Sequence, residues 1–222
     1  MSKLSIVFLG LSITSSWGNG HATTYRGLVR ELVRRGHQVS FLEREKPWYA
    51  ENRDLPNPPF GRTEIYHSFV ELKQKFGSLI RTADLVVVGS YVPEGVRVGR
   101  WVLETATGLT AFYDIDTPVT LAKLDRGQEE YLSAELIPHY DFYLSFTGGP
   151  TLERLEREYR SPRALPLYCS VDPQIYRPQF LRSSWCLGYL GTYSPDRQLG
   201  LEQYLLQPAA LFPSERFIVA GP

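Results

Sequence analysis

The chain has 222 residues, of which 43% are hydrophobic and 22% charged, a composition typical of a folded protein with a substantial core. Its 24 basic and 24 acidic side chains give a formal net charge of zero, which argues against a general nucleic-acid-binding function. Its two cysteines form no CxxC motif, and we expect free, buried thiols in a cytoplasmic protein. No apolar run approaches the roughly twenty residues that a membrane-spanning helix requires.

Residues 4–43 have the pattern of a βαβ unit with two parallel strands. Leu28, Leu32 and Val33 recur at helical spacing and predict the buried face of its helix. A polar turn with two glycines precedes that helix. Ligands of such sheets bind outside the carboxyl ends of the strands, where this turn lies, so the turn is the first candidate site. The predicted elements are a strand over 4–11, a helix over 22–35 and a strand over 38–43.

Strands and helices continue to alternate as far as residue 170, which predicts an α/β fold with a Rossmann-like, doubly wound parallel sheet and helices on both faces. The connection over 44–61 is long and polar, and we expect it to border the ligand cleft because it leaves the carboxyl end of the second strand. The further predicted strands are 63–67, 84–89, 109–114, 141–146 and 164–168. The further predicted helices are 69–81, one that ends near Ala106, a short one opened by Pro118, and 150–159.

The alternating pattern breaks at residues 171–183, where Pro173 and Pro178 predict a linker. We therefore divide the chain into an N-terminal domain over 1–170, this linker, and the first βαβ of a second Rossmann-like domain over 184–222. Two strands and one helix are too small to close a core, so we expect the natural protein to continue beyond Pro222. The elements predicted in this last part are strands over 185–191 and 216–221 and a helix over 199–206.

Gly18, Asn19 and Gly20 allow a dinucleotide-binding interpretation, although Thr23 stands where G-x-G-x-x-G has its third glycine. In that interpretation Glu43, at the end of the second strand, would bind the ribose hydroxyls of a nicotinamide or flavin nucleotide. A nucleotide-binding oxidoreductase is therefore one hypothesis. The alternatives are a turn that lines a different ligand cleft and a structural βα turn that needs small residues.

His21 is the first candidate catalytic residue. It lies at the N-terminus of the first predicted helix, whose dipole favours the neutral imidazole. A neutral imidazole can accept or donate a proton near pH 7. The alternative is a helix-end residue that makes a surface hydrogen bond.

Asp114 and Asp116 form a D-x-D pattern at the end of a predicted strand, which raises the question of a metal site. No third acidic residue or histidine has a suitable local spacing. The run Asp116-Thr117-Pro118 instead has the pattern of a helix cap followed by a proline in the first turn. We therefore favour helix capping or polar lining of the cleft for Asp116 over a metal site.

A second glycine-bearing turn follows the strand predicted over 185–191. Backbone N–H groups after Gly191 and the guanidinium of Arg197 could bind a diphosphate, with Thr192 between them. The alternative is an ordinary turn with a solvated arginine. Two such turns, one at the start of each Rossmann-like unit, would face each other across a cleft.

Three segments together resemble the GT-B glycosyltransferases, and more closely the spore-maturation-type bacterial glycosyltransferases. They are Gly18-Asn19-Gly20-His21-Ala22-Thr23-Thr24-Tyr25-Arg26-Gly27-Leu28, Tyr113-Asp114-Ile115-Asp116-Thr117-Pro118-Val119-Thr120 and Gly188-Tyr189-Leu190-Gly191-Thr192-Tyr193-Ser194-Pro195-Asp196-Arg197. The resemblance implies an N-terminal acceptor domain, a C-terminal nucleotide-sugar domain, and a cleft between them. It implies no metal and no cofactor, because protein dipoles and basic side chains stabilise the leaving diphosphate.

The resemblance also assigns roles on the acceptor side. The residues expected to line the cleft near the transferred sugar are Gly18, Asn19, Gly20, His21 and Asp114. His21 or Asp116 would act as the base in an inverting reaction. The co-substrate would be a nucleotide sugar, and the acceptor an unidentified glycan, protein or small molecule.

On the donor side, the resemblance assigns Gly191, Thr192 and Arg197 to the donor diphosphate. The acidic pair and the glycine-rich turn that hold the nucleotide sugar in such enzymes would lie beyond Pro222. We therefore expect the chain alone to be inactive. A non-catalytic binding domain, in which the cleft docks a partner, is the remaining alternative.

Overall fold

The computed structural model describes residues 2–191 and 195–221 of the chain. The chain divides after Tyr176 into two compact units. The first six residues of the predicted linker, 171–176, belong to the first unit.

The first unit is built on a sheet of seven parallel strands, in the order β3-β2-β1-β4-β5-β6-β7. The strand order reverses between β1 and β4, which defines the switch point of a doubly wound sheet. This confirms the predicted α/β class and the Rossmann-like parallel sheet. The strands are β1 (Ser5–Gly10), β2 (Gln38–Arg44), β3 (Arg62–Tyr66), β4 (Leu85–Gly89), β5 (Leu109–Asp114), β6 (Phe142–Ser145) and β7 (Ala164–Pro166).

Helices cover both faces of this sheet, and β1, β2, β4 and β5 contribute side chains to a core on each face. In β1, Ile6 and Phe8 pack in the core beneath the first helix, whereas Val7 and Leu9 pack in the core on the opposite face. Strands buried on both faces read as continuous apolar runs, which is why the sequence located them. The helices are α1 (His21–Arg34), α2 (Pro47–Ala50), α3 (Phe69–Thr82), α4 (Gly95–Thr105), α5 (Thr117–Leu124), a 3₁₀-helix (Ala134–His139) and α6 (Pro150–Arg157).

The long connection after β2 is docked against the turn between β1 and α1. The Arg26 guanidinium of α1 donates two hydrogen bonds of 2.8 Å to the Asp54 carboxylate, which also accepts one from the Ser16 N–H at 2.8 Å. The Leu55 N–H donates to the Thr14 carbonyl at 3.0 Å. Together with α2, these contacts give the connection a fixed position beside the carboxyl end of β1.

After β7 the chain returns along α1. A Cβ on Gly27 would lie 3.0 Å from the Val171 carbonyl carbon, so the absence of a side chain there allows the two segments to approach closely. Arg30 pairs with the buried Asp172 carboxylate at 2.5 Å. Cys169 precedes this segment and Cys186 lies in the second unit; both are free and exposed. The expectation of buried thiols is wrong because both residues lie outside the strands.

The second unit contains a parallel pair, β8 (Leu187–Leu190) and β9 (Phe217–Ala220), with helical segments between them. The helical region extends to Leu211, beyond the predicted end at Leu206. Pro208 has no N–H to donate, and a wider π-helical turn precedes it. The segments are a 3₁₀ turn (Pro195–Arg197), α7 (Gln198–Leu201), the π-helix (Glu202–Leu206) and α8 (Gln207–Leu211). Within the described ranges, no helix is long and apolar enough to cross a membrane.

Candidate functional site

Glu43 fixes the turn between β1 and α1 from beneath. Its side chain is fully buried, and its carboxylate accepts hydrogen bonds from the Ile13 N–H at 2.7 Å and the Thr14 N–H at 3.0 Å. The Thr14 hydroxyl donates a third bond of 2.7 Å. A carboxylate enclosed in this way cannot reach a ribose. The interpretation of Glu43 as a ribose ligand is therefore wrong, and the oxidoreductase hypothesis loses the residue on which it depended.

In the glycine-bearing turn, the Asn19 side chain forms hydrogen bonds with the surrounding backbone. The Asn19 carboxamide oxygen accepts from the Ala22 N–H at 3.1 Å, and its amide group donates to the Ser15 and Trp17 carbonyls. Asn19 thereby caps the first turn of α1. Gly18 has a φ of +62°, a conformation that favours glycine, and neither Gly18 nor Gly20 has an atom within 4 Å of the position of a Cβ.

His21 is the first residue of α1 and is buried, with 6% of its surface exposed. Its Nε2 lies 4.0 Å from the Asp116 carboxylate, and its ring meets that of Tyr91 edge-on at 5.5 Å. Burial lowers the pKa of His21 below its usual 6.5, against the opposing charge of Asp116. The Nδ1 atom is buried without a hydrogen-bond partner in the described part of the chain. The imidazole is therefore held neutral at pH 7, in the form that can accept a proton.

Asp116 occupies the N-cap position of α5, but its side chain makes no capping hydrogen bond. Its own N–H donates to the Asp114 carboxylate at 3.1 Å, which fixes the backbone while the Asp116 carboxylate lies toward His21. The expectation of a side-chain cap is wrong. The Asp116 side chain remains 41% exposed and supplies the negative charge next to the imidazole.

Asp114 lies beneath this pair and does not line a cleft, contrary to expectation, because it is fully buried. Its carboxylate accepts from the Tyr143 hydroxyl, from the Thr120 hydroxyl at 2.9 Å and from the Asp116 N–H. Burial raises its pKa to about 6, although these hydrogen bonds act in the opposite direction. Asp114 thus positions Asp116. No group of three potential metal ligands occurs within residues 2–191 and 195–221.

Tyr91, which follows β4, completes the cluster and was not singled out by the sequence. Its φ is +61°, an uncommon conformation for a residue with a side chain. Its ring lies against His21, and its pKa is raised to about 12 by burial first and by the Asp116 charge next. No local pattern distinguishes it from the other tyrosines at strand ends. Only the order of the strands places it between the ends of β1 and β5.

The predicted donor turn lies in the second unit. The Gly191 N–H donates to the Ala220 carbonyl at 3.0 Å, so this amide extends the sheet and is not open to a ligand. The backbone N–H groups of residues 192–194, to which the expectation applies, lie outside the described residues. Arg197 is exposed and donates to the Tyr189 hydroxyl at 3.2 Å. Arg197 and Tyr189 line a mainly apolar cavity of about 390 Å³, together with Leu201 and Tyr204. Thr192 lies outside the described residues.

Sequence comparisons find no match for this chain among protein-family models or curated proteins. Solved structures do match. An alpha-glucosyltransferase in complex with UDP-glucose and abasic-site DNA has a TM-score of 0.62 and 13% identity, over 100% of this chain and 58% of its own. The catalytic domain of starch synthase IV from Arabidopsis thaliana, bound to ADP and acarbose, has a TM-score of 0.60 and 13% identity. The match covers 99% of this chain and 69% of the starch synthase chain.

A third match is a proposed UDP-N-acetylglucosamine 2-epimerase from Listeria monocytogenes, with a TM-score of 0.59 and 12% identity, over 100% of this chain and 62% of its own. The chain thus spans 58% of the alpha-glucosyltransferase and 62% of the epimerase. At this level of identity, the likeness shows the fold alone. The first unit has an α/β fold built on a seven-stranded, Rossmann-like parallel sheet, and this fold matches a GT-B domain.

Proposed function

We propose that the protein is a glycosyltransferase, which moves a sugar from a nucleoside diphosphate donor to a hydroxyl group of an acceptor. The observation that carries this proposal is the pair of His21 and Asp116, 4.0 Å apart at the carboxyl edge of a GT-B sheet. Ligands of open α/β sheets bind at this edge. The segments that contain the two residues also resemble the spore-maturation-type bacterial enzymes, and we assign the protein to that class.

In the proposed reaction, His21 acts as the general base. The Nε2 atom of His21 takes the proton of the acceptor hydroxyl, while the oxygen of that hydroxyl bonds to the anomeric carbon of the donor sugar. The bond from that carbon to the diphosphate breaks, and the diphosphate leaves with the electron pair. The Asp116 carboxylate stabilises the imidazolium that forms. Because Nδ1 has no partner among the described residues, the charged form is disfavoured before the reaction and His21 is available as a base.

On the donor side, we assign Arg197 to the diphosphate, where a guanidinium can form paired hydrogen bonds. Thr192, outside the described residues, and the backbone N–H groups that follow Gly191 remain part of this proposal. The structures that this chain resembles contain UDP-glucose or ADP, which supports a nucleoside diphosphate sugar as donor. No metal ion or cofactor is needed, because fixed positive charge and backbone dipoles can stabilise the leaving group.

The acceptor is proposed to be a glycan, protein or small molecule. The alpha-glucosyltransferase in the comparison contains DNA, but the zero net charge of this chain does not favour a nucleic acid here. The two free cysteines fit a reducing compartment, and we propose a cytoplasmic location.

The test is a transfer assay on the purified full-length protein, with UDP- and ADP-sugars and a panel of glycan acceptors. We expect diphosphate release to require an acceptor, to persist in EDTA, and to fall by about 10²–10⁴-fold in kcat for His21→Asn. His67→Asn, on the exposed turn before α3, is the matched control. Equal kcat values for His21→Asn and the wild type would remove His21 as base. Conversion of a UDP-sugar to its epimer without an acceptor would favour an epimerase instead.

A further inference from the structure

A second cavity lies at the carboxyl edge of the sheet, next to His21 and Asp116. It has a volume of about 330 Å³ and lies where β1, β2 and β4 end. We call it the aromatic pocket. The lining residues that matter here are Lys46, Trp48, Tyr91, Glu94, Glu130 and Tyr131. Apart from Tyr91, none of them takes part in the site described above.

Three aromatic rings provide flat surfaces in this pocket. Trp48, on α2, is 46% exposed, and the Lys46 ammonium lies 5.5 Å from the centre of its ring. The rings of Tyr91 and Tyr131 lie 4.5 Å apart, and the Lys123 ammonium covers both of them. An exposed tryptophan that keeps one face open is suited to pack against the C–H face of a ring-shaped ligand.

The backbone turns both an aromatic and an acidic side chain into the pocket at a conformational cost. Tyr91 has a φ of +61° and Glu94 a φ of +57°, and both lie in the short connection between β4 and α4. Left-handed conformations at residues other than glycine cluster at functional sites. Arg44 and Arg97 hold Glu94 at 3.3 and 3.0 Å, so the surroundings fix the strained residue in place.

The two carboxylates of the pocket favour hydroxyl groups over ionic ligands, and its one further charged side chain, Lys46, lies over the Trp48 ring. Each carboxylate is already balanced from outside: Glu94 by two arginines and Glu130 by Lys123. A neutralised carboxylate still has lone pairs that accept hydrogen bonds from O–H groups. The volume is at the small end of the about 300–1,000 Å³ typical of ligand sites, which suits a single sugar ring.

Tyr91 connects this pocket to the proposed base. One side of its ring packs on Tyr131 in the pocket, and the same ring meets His21 at 5.5 Å. The Tyr91 end of the pocket is therefore the end nearer to the His21 and Asp116 pair. The opposite end, at Trp48, remains open to solvent.

We infer that the aromatic pocket binds a neutral pyranose ring, which stacks on Trp48 and donates hydroxyl hydrogens to Glu94 and Glu130. The assignment of this ring as the acceptor rests on the proposed function, whereas its binding does not. Leu11, Val92 and Pro93 also line the pocket, but a carbohydrate is favoured over a flat aromatic acceptor because two carboxylates that can accept hydrogen bonds from hydroxyl groups lie beside the rings.

The test measures binding without any donor. Methyl glycosides of glucose, galactose, mannose and N-acetylglucosamine are titrated one at a time into the 222-residue protein, and binding is followed by ligand-observed NMR. We expect at least one glycoside to bind, and Trp48→Ala to weaken it by about tenfold, as for the loss of a stacked aromatic surface. Glu130→Gln, an isosteric change at an exposed residue, should weaken it by about three- to tenfold. Trp185→Ala in the second unit is the control.

The inference is overturned if no glycoside binds, if Trp48→Ala and Trp185→Ala bind equally well, or if phenol competes for the same site while the sugars do not. Binding that depends on Trp48, together with an absence of transferase activity in the full-length protein, supports the pocket and removes the proposed function. Transfer that depends on His21, with an acceptor KM unchanged by Trp48→Ala, overturns the pocket and leaves the proposed function in place.

Discussion

Glu43 and Thr14 are joined by two hydrogen bonds: the Thr14 N–H donates to one carboxylate oxygen at 3.0 Å and its hydroxyl to the other at 2.7 Å. One buried side chain of β2 thus determines the path of the turn that carries the glycines and leads to His21. A carboxylate at the end of a second strand would bind ribose in a dinucleotide-binding protein. Here the same position holds the loop of the neighbouring strand.

Glu43→Ala should lower the free energy of unfolding by about 3 kcal/mol or more, because it leaves the buried N–H groups of Ile13 and Thr14 without an acceptor. Urea unfolding followed by circular dichroism measures the change. Glu64→Ala on β3 is the control, since that side chain is 37% exposed and pairs with Arg62; its cost should be about 0.5 kcal/mol. Equal losses for the two variants would contradict the role of Glu43.

The His21 imidazole should titrate below pH 6.5, and Asp116→Asn should lower its pKa further. Burial disfavours the charged ring, while the Asp116 carboxylate favours it. Because the folded pKa is depressed for a base, the unfolded state binds the proton more readily, and stability should rise with pH through this window. NMR titration of the ring proton signals measures the shift, with His67 as internal control. An unchanged pKa in Asp116→Asn would show that the two side chains are not coupled.

The acidic limb of the pH profile of kcat should follow the titration of His21. Activity requires neutral His21 in the proposed mechanism, so it should fall as the pH drops through the pKa of His21. In Asp116→Asn this limb should move to lower pH, while kcat decreases because the imidazolium loses its stabilising charge. The pH profile of kcat for both proteins tests this expectation. An acidic limb at the same pH in both proteins would assign it to another group.

Asp114 should make the protein less stable as the pH rises from about 4 to about 6. Its folded pKa is raised from 3.8 to about 6, so the folded state holds the proton more tightly than the unfolded state in this range. The shift corresponds to about 3 kcal/mol. Asp114→Asn should remove this dependence. In urea unfolding, the free energy of unfolding of the variant should therefore increase relative to that of the wild type between about pH 4.5 and about pH 7.

Asp125 provides the contrasting control for that measurement. Hydrogen bonds from Arg154 and Tyr159 lower its pKa, so its contribution to stability is lost as the pH falls. Asp125→Asn should therefore change the pH dependence in the opposite direction from Asp114→Asn. If the difference between Asp114→Asn and the wild type does not vary with pH, the Asp114 carboxyl is not held protonated by burial.

Arg197→Ala should weaken donor binding by about 1.5–3 kcal/mol, the loss expected for a charged hydrogen-bond partner. Calorimetric titration with UDP-glucose and ADP-glucose measures it. Arg216→Ala is a matched control from the same unit, because that guanidinium stacks on Trp185 at 4.3 Å. Unchanged affinity in Arg197→Ala would remove this residue from the proposed donor site.

The elements of the fold were largely determined by local sequence. Strands such as Leu85–Gly89 are continuous β-branched runs, and α1 carries its apolar residues at helical spacing, so their positions were predicted to within a few residues. Local signals failed at helix ends. Asp116 and Pro118 have the pattern of a capped start, yet the Asp116 side chain lies toward His21 because the buried Asp114 already holds its N–H.

The tertiary structure alone decided which carboxylates are exposed and which residues meet. Glu43, Asp114 and Asp116 all stand near the carboxyl ends of strands and look alike in the sequence. Their burial depends on partners contributed by other strands and turns, such as Tyr143 on β6 for Asp114. His21, Tyr91 and Asp116 follow β1, β4 and β5, which are distant in sequence and adjacent in the sheet. Strand order is a long-range property, because it depends on which apolar faces pack together, and no local pattern specifies it.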